Sequence, residues 1–261
     1  MQADYFEKKK RSTRLFLAIL GVVTVISIII TEYNVVKGFS SLPKAVEWGL
    51  ANFYPTQESL TKLPAILDKL IETLLVSIAA TTTGAVMALL FAILGSNTTR
   101  VNAFFGSISR GIATIFRNID VAAWAMILLF SFGQSSLTGY FALFFGSFGF
   151  LTRAFVETID EVSGSSVEAL QATGAGYFSI IFQSVIPSSL PQMISWILFM
   201  IETNIRSATL IGLLTGSGIG FTFNLYYKSL NYDVASLVVV VIIVAILFIE
   251  SVSNYVRRAV L

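Results

Sequence analysis

Apolar residues along the chain gather into six long blocks, at roughly residues 14–33, 70–95, 104–132, 138–160, 190–213 and 234–256. A helix needs about 20 mostly apolar residues to cross the hydrocarbon core of a bilayer, so the pattern predicts an all-α, polytopic membrane protein with about six transmembrane helices. The first block runs unbroken from Leu15 to Ile30 and then meets Thr31 and Glu32. A cleaved leader would have a shorter apolar core ending in a small-residue site, so this block reads as a retained helix. The third block is too long and too interrupted for a simple span, because Arg110, Arg117, Asn118 and Asp120 fall inside it. It predicts a segment lying along the bilayer surface that then turns into the crossing helix.

Basic residues set the orientation. Lys8, Lys9, Lys10, Arg11 and Arg14 crowd the entry to the first block, and Arg257 and Arg258 follow the last. An even number of spans puts both ends on one side, and the excess of Lys and Arg marks that side as cytoplasmic. Residues 1–13 are then a cytoplasmic N-terminal segment and 34–69 an extracytoplasmic loop, carrying Lys37, Lys44, Lys62 and Lys69 and broken by Pro43, Pro55 and Pro64. Residues 161–190 form a loop inside the cell.

Composition agrees: 55% of residues are hydrophobic and 12% charged, with a mean hydropathy of +0.80, far from the quarter charged of soluble domains. The absence of Cys and His removes disulfides, thiol nucleophiles and the usual zinc ligands, and no metal site is expected. A net charge of +2 gives no reason to expect nucleic acid as a partner. No Gly-rich phosphate loop ending in Lys-Ser/Thr occurs, so the chain holds no nucleotide by that means. Of the acids in or near the spans, Glu72, Glu157, Glu202 and Glu250, only Glu202 is a candidate coupling carboxylate, and Arg206 stands four residues on, spaced for an ion pair.

The internal loop EALQATGAGYFSIIFQSVIPSSLP (168–191) is the most informative stretch. Glu168 to Thr173 favours helix, with Ser163, Ser165 and Ser166 as candidate caps, and Glu168 is expected in the first turn, where the helix dipole favours an acid. Gly174 and Gly176 permit positive φ and a turn. Pro187 is expected to hold Ile186 extended and Pro191 to open the next span. The product is a compact helix–turn–helix on the cytoplasmic face.

In Glu168, Ala169 and Gly174 the stretch resembles the EAA motif of permease subunits in ABC importers, with Leu170 at the second Ala and Ile186–Pro187 where Leu-Pro is usual. Four segments, FRNIDVAAWAMILLFSFG (116–133), SFGFLTRAFVETID (147–160), EALQATGAG (168–176) and IETNIRSATLIGLLTGSGIG (201–220), resemble phosphonate-importer permeases, from about residue 70 onward. Two departures stand out. The family's Arg-x-Ile-Pro-Asp-x-x-Trp reads here Arg117 to Trp124 without the proline, and GSGIG (216–220) replaces Gly-Ala-Gly-Gly-Ile-Gly.

The resemblance implies a type I ABC importer permease fold across 70–257. It further implies that Glu168, Ala169, Leu170, Ala172, Gly174, Ala175 and Gly176 form a coupling helix docked on two cytoplasmic ATPase subunits. ATP and Mg would bind those subunits and no cofactor this chain. A second permease, identical or paralogous, and an extracytoplasmic substrate-binding protein complete the expected assembly in a bacterial inner membrane. Arg117, Asn118, Glu202, Asn204 and Arg206 are candidate pathway residues; Arg117 pairing with Asp120, and Arg206 with Glu202, is the structural alternative. Gly212, Gly216, Gly218 and Gly220 are expected to end the fifth span and shape an external gate, or to pack helices closely. Permeation of another solute, such as an amino acid or osmolyte, and ion-coupled secondary transport are the rival functions.

Overall fold

The computed structural model describes residues 2–162 and 164–260, and among them all regular structure is helical. It forms two compact units, residues 1–53 and 54–261. Five of its helical stretches are long and apolar enough to cross a membrane, and a bent helix pair makes a sixth, as the hydropathy blocks predict.

The first unit holds α1 (Gln2–Ile30) and α2 (Val35–Asn52). Glu32 takes a positive φ of 52°, and the Tyr33 N–H reaches back to the Ile28 carbonyl at 3.1 Å, closing α1. Asn34 then caps α2 by accepting from the Lys37 N–H at 2.9 Å. The expected irregular loop is thus largely helical. Pro43 sits inside α2, where a capped helix with apolar residues at helical spacing tolerates one missing donor. Pro64 does not break the chain either: it lies in the first turn of α3 (Leu63–Gly95), where no N–H is required, so α3 begins before residue 70.

The second unit continues after α3 with α4 (Ala103–Asn118), α5 (Val121–Phe132) and α6 (Ser136–Val162). There follow α7 (Gly164–Ala172), a short α8 (Tyr177–Ile180), a π turn at Ile181–Val185 and α9 (Ile186–Thr215). The chain closes with α10 (Gly218–Lys228) and α11 (Tyr232–Val260). Helix α6 is central, packed against α3, α4, α5 and α9. Its small residues permit this, since helix association in lipid relies on close van der Waals packing. A Cβ on Gly84 of α3 would press on Ser147 and the Phe148 backbone, and one on Gly149 would come within 2.5 Å of the Arg117 backbone nitrogen.

Hydrogen bonds fix which helix ends meet. At one end Asp160 of α6 accepts from Ser96 Oγ (2.5 Å), Asn97 Nδ2 (3.1 Å) and the Thr98 N–H (3.1 Å) after α3. At the other, Ser136 Oγ donates to Glu72 and the Ile219 N–H donates to Thr73 Oγ1 at 2.9 Å. So α3 and α6 run in the same direction, packed on each other, and α4–α5 and α9 lead back the opposite way.

The interrupted third block breaks as expected: α4 and α5 meet at 90°. Ile119 and Asp120 are extended, and the Asp120 carboxylate accepts from the Ala122 N–H at 2.8 Å as cap of α5. Phe116 and Trp124 stack across the corner at 5.2 Å, with Phe145 packed on both rings. Cap and aromatic clamp form the corner without the family's proline.

Pro187 does not force Ile186 to be extended. Ile186 is helical (φ −64°, ψ −52°), and the helix runs from Tyr177 to Thr215. The π turn shifts bonding to i→i−5, as between the Ile186 N–H and the Ile181 carbonyl. That wider turn accommodates the pyrrolidine ring and its missing donor. Pro191 lies within α9 rather than at its start.

Candidate functional site

The short helix α7 lies at the end of the bundle marked by Asp160, between α6 and α8. Val167 is 3% exposed and packs in a core with Ala85, Ala88 and Ala92 of α3, Ile159 of α6 and Val185, with Leu170 and Ala175 at its edge. Glu168, Ala169 and Ala172 fall on the opposite, exposed face. The helix ends in a Schellman motif: the Ala175 N–H bonds the Leu170 carbonyl (3.2 Å) and the Gly174 N–H the Gln171 carbonyl (3.0 Å). Gly174 carries the positive φ of 78°, and no other group lies within 4 Å of where its Cβ would stand. Gly176, expected to share this role, is extended instead (φ −71°, ψ 159°) and precedes α8. Tyr177 Oη donates to the Thr99 carbonyl at 2.9 Å, tying the turn to the α3–α4 loop.

Two expectations about α7 change. The helix begins at Gly164, so Glu168 sits in the second turn, beyond the reach of first-turn dipole stabilisation. Ser165 and Ser166 are helical residues, not caps, and Ser163 lies outside the described residues.

Polar residues within the spans divide into exposed and buried sets. Glu202 and Arg206 pair on α9 at 2.8 Å, the carboxylate largely covered (14% exposed) and the guanidinium half-exposed (46%). The other expected pair does not form, because the Asp120 carboxylate is engaged in capping α5. Arg117 stays exposed at the end of α4, and Asn118 turns back to donate to the Thr114 carbonyl at 2.8 Å.

Asn204 differs from its neighbours. It is wholly buried and donates both amide hydrogens across helices, to Thr81 Oγ1 of α3 at 2.8 Å and Ser147 Oγ of α6 at 2.6 Å. Thr81 and Ser147 in turn donate to the carbonyls of Ser77 and Leu143, each at 2.7 Å. Asn204 thus joins three helices and lines no open surface, and its Oδ1 has no hydrogen-bond partner. Its place beside Arg206 groups it with the pathway residues in the sequence, whereas Thr81 and Ser147, far off in the chain, give it a packing role.

The glycines at the opposite end combine turning and packing. Gly216 ends α9 in a left-handed conformation (φ 66°, ψ 29°), and Gly218 has φ 63° with Thr73 Oγ1 close beneath it. Gly212 and Gly220 let α9 and α10 touch backbone to backbone, Gly220 lying directly against the Thr209 carbonyl. Beside them Glu72 accepts from Lys69 Nζ at 2.8 Å and from Ser136 Oγ. This anchor joins α3 and α6 through a partner 64 residues away in sequence, so no local pattern around Glu72 signals it. The residues Glu72, Thr73, Ser136, Thr215 and Gly218 line a space of ≈ 20 Å³, room for about one water. Among the described residues no three metal-binding side chains converge.

Residues 84–260 match the family described as binding-protein-dependent transport system inner membrane component. A phosphate-import permease protein of Mycolicibacterium smegmatis is 26% identical over 71% of this chain, which spans about a third (35%) of that protein's length. A phosphite transport system permease protein of Stutzerimonas stutzeri is also 26% identical, over 72% of this chain and 69% of its own. Among solved structures, a methionine ABC transporter in an inward-facing conformation has a chain with TM-score 0.67 and 21% identity, over 75% of this chain and 96% of that one. At that identity the likeness is one of fold.

Proposed function

The chain belongs to the family of inner membrane components of binding-protein-dependent transport systems, and from that premise we propose that it is the membrane-spanning subunit of an ATP-driven importer for phosphonate or a related phosphorus oxyanion. The observation that carries the mechanism is α7: a short helix rooted by Val167 in the core of α3, α6 and α9, with Glu168, Ala169 and Ala172 facing outward. A separate ATPase would dock there, binding ATP and Mg on its own chain. Closure of two ATPases on ATP would push α7, and the continuous helix Tyr177–Thr215 would carry that push through the bilayer as a rigid body.

The same reading sets the end holding α7 and Arg257–Arg258 in the cytoplasm, by the positive-inside rule, and with it the basic N-terminal segment. The membrane is the bacterial cytoplasmic membrane. A second permease, identical or paralogous, lies across the pathway, and an extracytoplasmic binding protein delivers the solute at the end near Gly216. The exposed Arg117, which forms no ion pair among the described residues, supports a pathway for an anion, because a cation on an uncovered span needs water, a partner chain or an anionic solute, whereas Arg206 is already paired with Glu202. Arg also matches phosphorus oxyanions bidentately. The two relatives named for phosphate and phosphite support that solute class.

The test is reconstitution with the ATPase and the binding protein in liposomes. Uptake of labelled phosphite or methylphosphonate that requires ATP and both partners is the expected result. Uptake driven by an ion gradient without ATPase, or uptake of methionine but no phosphorus oxyanion, overturns the proposal.

A further inference from the structure

Helix α2 presents an apolar stripe that nothing in the transport reading uses. Phe39, Leu42, Val46 and Leu50 follow one another at three- and four-residue steps, which stacks them on one face of a helix. They are 67%, 56%, 59% and 78% exposed. The opposite face carries Lys37, Ser41 and Lys44. Four large side chains left bare along a single face require a cover.

The position of α2 in the chain says what that cover is. Helix α1 supplies a candidate span, Lys9–Ile30, whose apolar side chains are exposed as those of a lipid-facing helix are. Only residues 31–34 separate it from α2. That link is not extended, since the Thr31, Glu32 and Tyr33 amides all bond back to carbonyls of α1. Asn34, the next residue, already caps α2. The helix therefore starts at the level where the apolar span stops, inside a headgroup layer of about 6 Å on each side of the hydrocarbon core. It cannot be a span itself: Lys37, Lys44 and Glu47 lie within its 18 residues, and it is not among the stretches apolar enough to cross. A short amphipathic helix held at that depth meets acyl chains on one side and water on the other.

We propose that α2 is an interfacial helix, lying in the membrane surface with Phe39, Leu42, Val46 and Leu50 bedded in lipid and Lys37 and Lys44 directed to the headgroup phosphates and water. Continuity with α1 favours lipid over a protein partner, because the stripe begins where an apolar, lipid-facing segment ends. The inference depends on the chain spanning a membrane and is independent of which solute it carries.

The sequence contains no cysteine, so single-cysteine variants of the full chain can each carry one nitroxide label. Val46→Cys and Leu50→Cys report from the stripe, Ser41→Cys and Lys44→Cys from the polar face; two positions per face guard against one variant failing to fold. In liposomes of phosphatidylcholine and phosphatidylglycerol, the stripe labels should collide with oxygen several-fold more readily than with a water-soluble nickel chelate. The polar-face labels should show the reverse. Stripe labels open to nickel as freely as the polar-face labels would place the stripe in water and overturn the proposal. Stripe labels shielded from both reagents would mean protein covers it, with the same result.

Discussion

Replacing Asn204 with Leu separates a structural from a conducting role. Its two interhelical hydrogen bonds, at 2.8 and 2.6 Å, are worth about 0.6 kcal/mol each by the average for such bonds in membranes, or about 1.2 kcal/mol together. Against this stands the buried Oδ1, which has no partner; a buried acceptor left unpaired costs about 1–3 kcal/mol. Leucine removes both contributions at similar volume. Neither Thr81 nor Ser147 is orphaned by the change, because each keeps its own donation to the carbonyl four residues back. The two effects nearly cancel, so Asn204→Leu should unfold within about 1 kcal/mol of the parent, or be slightly more stable. Asn204→Asp should not. An ionised carboxylate there faces hydroxyls already committed as donors, and an uncompensated buried charge costs about 3–5 kcal/mol. Reversible unfolding in mixed detergent micelles measures both variants. A loss above about 2 kcal/mol for Asn204→Leu would refute the assignment of an unpaired Oδ1. A stable Asn204→Leu that retains ATPase activity and assembly but shows no uptake would return Asn204 to the pathway.

At Gly174 the chain itself leaves open space around the missing Cβ, so Gly174→Trp should cost the isolated chain only the left-handed backbone strain of about 1–2 kcal/mol while blocking ATPase association, measured by co-purification; normal association would remove α7 from the docking surface. Arg206→Gln should abolish uptake with ATPase activity and assembly intact if Arg206 meets the solute, and normal uptake would leave it a local partner of Glu202. Gly220→Ala should destabilise by about 1–3 kcal/mol through overpacking against the Thr209 carbonyl, read as a lower unfolding temperature before any change in solute selectivity. Asp120→Ala should cost about 1 kcal/mol through the lost cap of α5, whereas Arg117→Gln should leave stability unchanged because no ion pair joins the two; equal losses would restore that pair.

The spans were legible because hydropathy over some twenty residues is additive and needs no partner. The corner between α4 and α5 was legible for the converse reason, since Arg117, Asn118 and Asp120 cannot all lie in hydrocarbon. What Asp120 bonds was not: an ion pair to Arg117 and a cap to the Ala122 N–H are both local options, and the 90° turn selects the cap. Helix α2 was concealed by Pro43 and its lysines, although Phe39, Leu42, Val46 and Leu50 stood at helical spacing. The turn at Gly174 could be read from glycine alone, but the extended Gly176 and the helical Ile186 depend on how the following segment bonds. Asn204 marks the limit of sequence reading, since its environment is built from three helices.

The π turn at Ile181–Val185 also preserves an angular phase. A π turn holds one residue more than the α register would, and its wider loop takes up that residue while the helix on either side keeps nearly the same phase. Deleting a single residue there would close the turn to α geometry and bring the Pro187 ring against the carbonyl four residues back. Such a deletion should therefore appear as a kink or a loss of stability at Pro187, and leave the direction of α7 about the helix axis nearly unchanged.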